Sequence, residues 1–252
     1  VNIKALIFDV DGTLADTEEA HRTSFNQAFE QHGLDWHWSR ADYAHWLETT
    51  GGKERIRAYI DSLELPPVER QVLTESVPAL HRSKTDIYAR LIREGRVPLR
   101  DGVARLLDEA ETAGVRLAIA TTTSRENIDA LLSVTLGEGA LERFSVIGAG
   151  DEVRRKKPAP DIYDLVLGRL GESAAQCVAI EDSLHGLTAA KAAGLFTVVT
   201  PSQWTRGEDF SAADLLLTSL GTSDRPLMEL EHAFGVIRKW SRRPKTTAAG
   251  EA

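Results

Sequence analysis

Asp9 and Asp11 follow directly on the apolar run Ala5 to Phe8 and are followed at once by Gly12 and Thr13. Aspartate is disfavoured in strands, so its place here needs a reason other than the strand. Residues two apart on an extended chain face the same way, and Gly12 lets the backbone turn sharply beyond them. Two like charges held that close call for a cation; the hard oxygen donors suit a divalent ion, magnesium above all, completed by water and a substrate phosphate. A second acidic pair, Glu181 and Asp182, also ends an apolar run, so two strands can bring carboxylates to one metal. At "IATTTSR" a third apolar run meets hydroxyl residues and then a helix, with Thr123 and Glu126 at capping-box spacing. Thr121 and the neighbouring backbone N–H groups are placed to grip an anion at that helix start. In "RRKKPAPDIY", Pro158 favours an extended Lys157 and Pro160 suits a helix start, so a stiff loop presents the lysine.

The elements that must position these residues are legible as short runs rich in Val, Ile and Leu. They recur at Ile3 to Phe8, Val115 to Ala120, Phe144 to Ile147, Cys177 to Ile180, Phe196 to Thr200 and Asp214 to Leu217. Helix-patterned segments alternate with them, at Gly102 to Ala113, Arg125 to Leu136, Pro160 to Leu170 and Gly186 to Ala193. This alternation predicts an α/β fold, a doubly wound parallel sheet with helices on both faces.

One connection is far too long. About 100 residues separate the first run from the second, where a single crossover helix suffices. The surplus reads as helices at Glu18 to Gln31, around Ala41 to Leu47, at Glu54 to Leu63, and at Val68 to Leu80 leading into His81 to Glu94. We expect residues 1–16 and 85–240 to form the core, 17–84 a helical cap, and 241–252 a frayed tail. Open α/β sheets bind ligands at the carboxyl ends of their strands, which this cap would cover.

Composition narrows the function. With 252 residues, 42% of them hydrophobic, the chain can bury a sizeable core. A formal net charge of -8 argues against a nucleic-acid or anionic-membrane footprint, so attraction for an anionic ligand must be local. No apolar stretch approaches the roughly 20 residues of a membrane span. The single cysteine, Cys177, excludes an internal disulfide and reads as a buried thiol in a reducing, cytoplasmic setting. A monomer is expected.

Taken together, "DVDGT", "TTTS", "KKPAPDIY" and "EDSLHGLTAAKAAG" resemble the haloacid dehalogenase-like hydrolases, and the helical insertion resembles their phosphoglucomutase-like branch. Within it, "TTGGKERI" and "ATTTS" are similar to the CbbY-like phosphatases of the Calvin cycle, which act on xylulose 1,5-bisphosphate and so remove a Rubisco inhibitor. The resemblance implies that Asp9 is the nucleophile and Asp11 the general acid and then base. It implies that Asp9, the carbonyl of Asp11 and Asp182 bind Mg²⁺, with Glu181 in support. Thr121, Thr122 and Lys157 would hold the phosphoryl oxygens.

The cap should select a small anionic sugar phosphate. His21, Lys53 and Arg55 offer donors, with Gly51 and Gly52 in the same loop. Arg125 offers a planar fork for a second phosphate, and Glu18 and Tyr43 suit sugar hydroxyls. Trp36, Trp38 and Trp46 read as cap core. The motifs leave two alternatives open: a phosphomutase using the same aspartyl-phosphate, and a non-enzymatic phospho-accepting signalling module.

Overall fold

Strand β1 (Ala5–Phe8) lies at the centre of a parallel sheet, flanked by β2 (Arg116–Ala120) and β4 (Cys177–Glu181). Beyond these lie β3 (Phe144–Gly148) on one side and β5 (Phe196–Val199) and β6 (Leu215–Leu216) on the other, giving the order β3-β2-β1-β4-β5-β6. The structure, a computed structural model, describes residues 3–95, 97–222 and 229–235. The expected tail at 241–252 and the last residues assigned to the core lie outside the described residues.

The central strands read as unbroken apolar runs because both their faces are covered. Successive side chains point to opposite faces. Leu6, Phe8, Leu117, Ile119, Val178 and Ile180 join a cluster containing Leu106 and Leu107 of α5 (Val103–Thr112) and Ile128 and Leu131 of α6 (Arg125–Leu136). Ala5, Ile7, Ala118, Cys177 and Ala179 join a second cluster with Ile162 and Val166 of α7 (Asp161–Leu170) and Ala190 of α8 (Leu184–Ala192). The alternation of strands and helices thus resolves into two covered faces, and Cys177 is buried between them.

Between β1 and α5 lie α1 (Glu18–Gln31), α2 (Arg40–Trp46), α3 (Gly52–Ser62) and α4 (Pro67–Arg93). The two segments expected at Val68 to Leu80 and His81 to Glu94 are one helix of 27 residues, with Pro78 inside it. What carries the helix through is a continuous buried stripe, Val77, Leu80, Lys84, Ile87, Tyr88 and Leu91, at three- and four-residue spacing. The boundary expected between residues 84 and 85 therefore falls within α4. Outgoing and returning chains meet instead where Ala15 bridges Leu99, and the Arg100 N–H donates to the Leu14 carbonyl at 2.8 Å. Trp38 is buried against Phe25 and Phe29, with Trp36 and Trp46 packed beside it, so the tryptophans build cap core. No helix among the described residues is long and apolar enough to cross a membrane.

Candidate active site

Strand register brings the functional groups to one level. Phe8 pairs with Ile119 on one side and Ile180 on the other, so Asp9 leaves the sheet beside the ends of β2 and β4. The Asp9 N–H donates to the Ile180 carbonyl at 3.0 Å, which fixes the first residue beyond β1. Asp9, Glu181 and Asp182, all buried, each present a carboxylate oxygen within 4.8 Å of the others.

Lys157 enters this cluster from the loop before α7. Its Nζ donates to Asp9 Oδ1 and to Glu181 Oε1, both at 2.6 Å, and the Tyr163 hydroxyl donates to the same Glu181 oxygen at 2.5 Å. Burial raises the Asp9 pKa to about 8; Lys157 opposes the rise, while Glu181 and Asp11 add to it. Burial, followed by the charges of Asp9 and Glu181, lifts Asp182 well above the carboxylate range. Burial also opposes the Lys157 charge, but the two carboxylates outweigh it and raise its pKa above lysine's ordinary value. Three desolvated carboxylates around one ammonium leave negative charge that a cation would neutralise, and their hard oxygen donors fit Mg²⁺.

Gly12 makes this packing possible. Its φ is 81°, and a Cβ there would lie 2.2 Å from Asp182 Oδ2. Asp182 is anchored from behind by the Thr205 hydroxyl, which donates to its carbonyl at 2.7 Å.

The Asp11 side chain turns away from the carboxylate cluster toward the cap. Its Oδ1 accepts from the Thr17 hydroxyl at 2.6 Å and contacts His21 Nε2 at 3.0 Å. Lys84 Nζ reaches His21 Nδ1 at 2.7 Å, and the Tyr88 ring stacks on the imidazole. With Lys84 donating as an ammonium, Nδ1 accepts and the Nε2–H donates to Asp11, which defines the tautomer. Burial acts to raise the Asp11 pKa, but His21 and the hydrogen bonds from His21 and Thr17 outweigh it, leaving about 2. Burial lowers Lys84 to about 8.

Thr121 is buried at the end of β2, and its N–H donates to the Gly148 carbonyl at 3.1 Å. The capping box expected from Thr123 and Glu126 does not form. The N-cap of α6 is Ser124, one residue later, which leaves Thr123 too early to meet the helix amides. Its hydroxyl accepts instead from Asn127 Nδ2 at 3.0 Å.

A cavity of about 420 Å³ lies between these strand ends and the cap. The core contributes Asp9, Asp11, Thr121, Thr122, Lys157 and Asp182; the cap contributes Glu18, His21, Gly51, Gly52, Lys53 and Arg55. Three expected site residues do not line it. Tyr43 is buried behind Glu18, where its hydroxyl donates to Glu18 Oε2 at 2.6 Å and accepts from Arg55 Nη1 at 2.8 Å. Arg125 is turned along its own helix, its Nε donating to Asp129 Oδ1 at 2.7 Å. Glu181 is fully buried behind Lys157.

The sequence reading missed Thr17, Lys84, Tyr163 and Thr205, which hold these groups, and His81 and Lys156, which line the cavity. Burial pushes His81 down to about 3, helped by the charges of Lys84, Lys53 and Lys156. Lys84 carried a visible signal, a lysine set in the apolar stripe of α4. Thr17 and His21 carried another, lying four apart at the start of α1.

The profile of the haloacid dehalogenase-like hydrolases matches residues 3–194, and the chain belongs to that family. Within it, the chain is similar to protein CbbY of Rhodobacter capsulatus, 51% identical over 88% of this chain and 96% of that one. A crystal structure of a CbbY variant from Rhodobacter sphaeroides in complex with xylulose 1,5-bisphosphate superposes with a TM-score of 0.81. It is 48% identical and covers 87% of this chain and 95% of its own. The phosphorylated carbohydrates phosphatase of Thermotoga maritima is 30% identical over 77% of this chain and 82% of its own. This chain is an enzyme of the phosphatase class, which sets aside the non-enzymatic reading.

Proposed function

We propose that this enzyme hydrolyses a sugar bisphosphate, xylulose 1,5-bisphosphate, through an aspartyl-phosphate formed on Asp9, with Mg²⁺ as cofactor. The observation that carries the reading is the contrast between two carboxylates two residues apart. Asp9 sits with Lys157 among the buried acids, whereas Asp11 is held by Thr17 and His21 at the cap side of the cavity. Pairs of acids placed in such different surroundings divide catalytic roles between them.

Asp9 attacks phosphorus, and the bond from phosphorus to the sugar oxygen breaks. The leaving alkoxide takes a proton from the Asp11 carboxyl. Asp11, then a carboxylate, accepts a proton from water as that water attacks the aspartyl-phosphate and releases Asp9. Asp11 is an anion in the free protein, and an approaching phosphate dianion acts to raise its pKa, which favours the protonated form that the first step needs. Thr121, Thr122 and Lys157 orient the transferring group, where fixed charge and donors matter most. Asp9, Asp182 and the Asp11 carbonyl would hold Mg²⁺, with Glu181 behind them. When bound, the ion supplies positive charge that lets an anionic nucleophile meet an anionic substrate.

A bisphosphate suits the further cations of the cavity. Lys53 and Lys156 line it with the N-terminal residues of α3, whose first backbone N–H groups favour an anion; Lys156 meets Glu54 at 3.1 Å and Lys53 lies 3.9 Å from Asp151, carboxylates from which a second phosphate would draw them. The bound sugar bisphosphate of the R. sphaeroides relative supports the same substrate here. Glu18, oriented by Tyr43, is then available to a sugar hydroxyl.

Phosphate release measured with xylulose 1,5-bisphosphate and with hexose monophosphates, with and without Mg²⁺, tests the reading. Stoichiometric free phosphate, Mg²⁺-dependent and fastest with the bisphosphate, is the expected result. Isomerised sugar phosphate without net release would instead identify a mutase.

A further inference from the structure

Arg100 stands on the strand of chain that returns from the cap to the core, and it reaches three separate pieces of the molecule. Nη1 donates to the Gly12 carbonyl and, at 2.7 Å, to the Thr200 carbonyl; Nη2 donates to the Pro201 carbonyl at 3.0 Å. Nε lies 3.7 Å from Asp16 Oδ1 on the outgoing linker. The Arg100 N–H closes the contact by donating to the Leu14 carbonyl. A guanidinium is planar and its donors are fixed in a fork, so one side chain sets the relative position of all these groups.

Two of the groups carry the site. Gly12 is bonded covalently to Asp11, and its turn is closed by its N–H donating to the Ala15 carbonyl at 2.8 Å. The segment following Pro201 provides Thr205, which anchors Asp182. The cap cannot move relative to the core without moving its linkers, and the bridge from Ala15 to Leu99 runs between those linkers.

We propose that Arg100 is a positioning residue. It couples the seating of the cap to the placement of the Asp11–Gly12 turn, so that Asp11 reaches the leaving-group oxygen only when the returning linker is in place. The inference rests on the reading of Asp11 as the acid that protonates that oxygen. A misplacement of about 1 Å in such a group costs roughly 10²-fold in rate.

The test compares two substrates in wild type, Arg100→Lys and Asp11→Asn. Xylulose 1,5-bisphosphate expels an alkoxide that needs a proton, whereas 4-nitrophenyl phosphate expels a phenolate that does not. The ratio kcat/KM reports the steps up to aspartyl-phosphate formation, and the aryl rate counts folded, competent sites. Arg100→Lys keeps the charge, but a single ammonium cannot span the carbonyls. We expect kcat/KM for the sugar substrate to fall about 10- to 100-fold and that for the aryl substrate less than about 3-fold, the pattern of a mispositioned general acid. Asp11→Asn should show the same selectivity more strongly. Guanidinium added to Arg100→Ala should restore part of the sugar-phosphate rate.

Equal losses on both substrates in Arg100→Lys, with Asp11→Asn still selective, would reduce Arg100 to a prop of the fold and overturn the coupling. No loss on either substrate would overturn it too. An Asp11→Asn variant that harms both substrates equally would remove the acid role itself, and the inference with it.

Discussion

Lys157 Nζ stands 2.6 Å from Asp9 Oδ1 and is shared with Glu181 at the same distance, so one ammonium serves two buried carboxylates. Its removal leaves both without a positive partner. Breaking a buried ion pair by deleting one side costs about 3–5 kcal/mol. We predict that Lys157→Met lowers the melting temperature of the metal-free protein markedly. Saturating Mg²⁺ should recover more stability in this variant than in wild type, because a ligand that binds only the folded state stabilises it by mass action. Thermal melts of both proteins with and without Mg²⁺ check this.

Asp9→Asn separates chemistry from folding. The amide keeps the shape and can still lie beside Lys157, while Glu181 retains its bond to the ammonium. Phosphate release should fall by at least about 10⁴-fold, as when a nucleophile is removed from a concerted site. The far-ultraviolet circular dichroism should match wild type.

The raised Asp9 pKa makes metal-free stability depend on pH in an unusual direction. Its ordinary value is 3.8 and its folded value about 8. Between these the folded state holds a proton that the unfolded chain has lost, so stability falls as pH rises through that window. Asp182, also raised, acts in the same direction. Asp11, lowered to about 2, contributes stability above 3.8 that is lost as pH falls toward 2. His81, lowered to about 3, acts the opposite way up to its ordinary 6.5, so urea titrations of chelator-treated protein should give declining midpoints from about pH 6.5 to 8. Added Mg²⁺ should flatten that decline, because it stabilises the deprotonated carboxylates.

Tyr43→Phe tests whether a residue outside the cavity shapes it. Loss of the hydroxyl removes a donor to Glu18 Oε2 and an acceptor from Arg55 Nη1. Leaving such buried groups unpaired costs about 1–3 kcal/mol. The expected outcome is a several-fold rise in KM for the sugar bisphosphate with a smaller change in kcat, read from steady-state kinetics.

The sheet was legible in the sequence because a strand covered on both faces must be an apolar run, and its polar successor must do something else. The same logic singled out Asp9, Asp11, Thr121, Glu181 and Asp182, whereas Lys157 was singled out by the prolines that follow it; the structure brings all six to one end of the sheet. The cap was harder. Val68 to Leu80 and His81 to Glu94 differ in composition, yet a buried stripe that begins at Val77 joins them into one helix. Arg125 looked suited to a distant phosphate because spacing cannot say which way a long side chain turns, and Asp129 four residues on captures it. Tyr43 was expected to meet a sugar hydroxyl alongside Glu18, but packing, which spacing cannot show, places it behind that residue with its hydroxyl donating to Glu18.

The continuity of α4 has a mechanical consequence. At about 1.5 Å per residue its 27 residues make a rod of about 40 Å. Lys84 lies about 13 Å from the end near the core, and Pro67 lies at the far tip. Tilting the rod about its inner end displaces that tip about three times as far as Lys84. A given tilt therefore sweeps the outer arm widely, while Lys84, with the His21 it holds, travels only about 0.2 Å per degree.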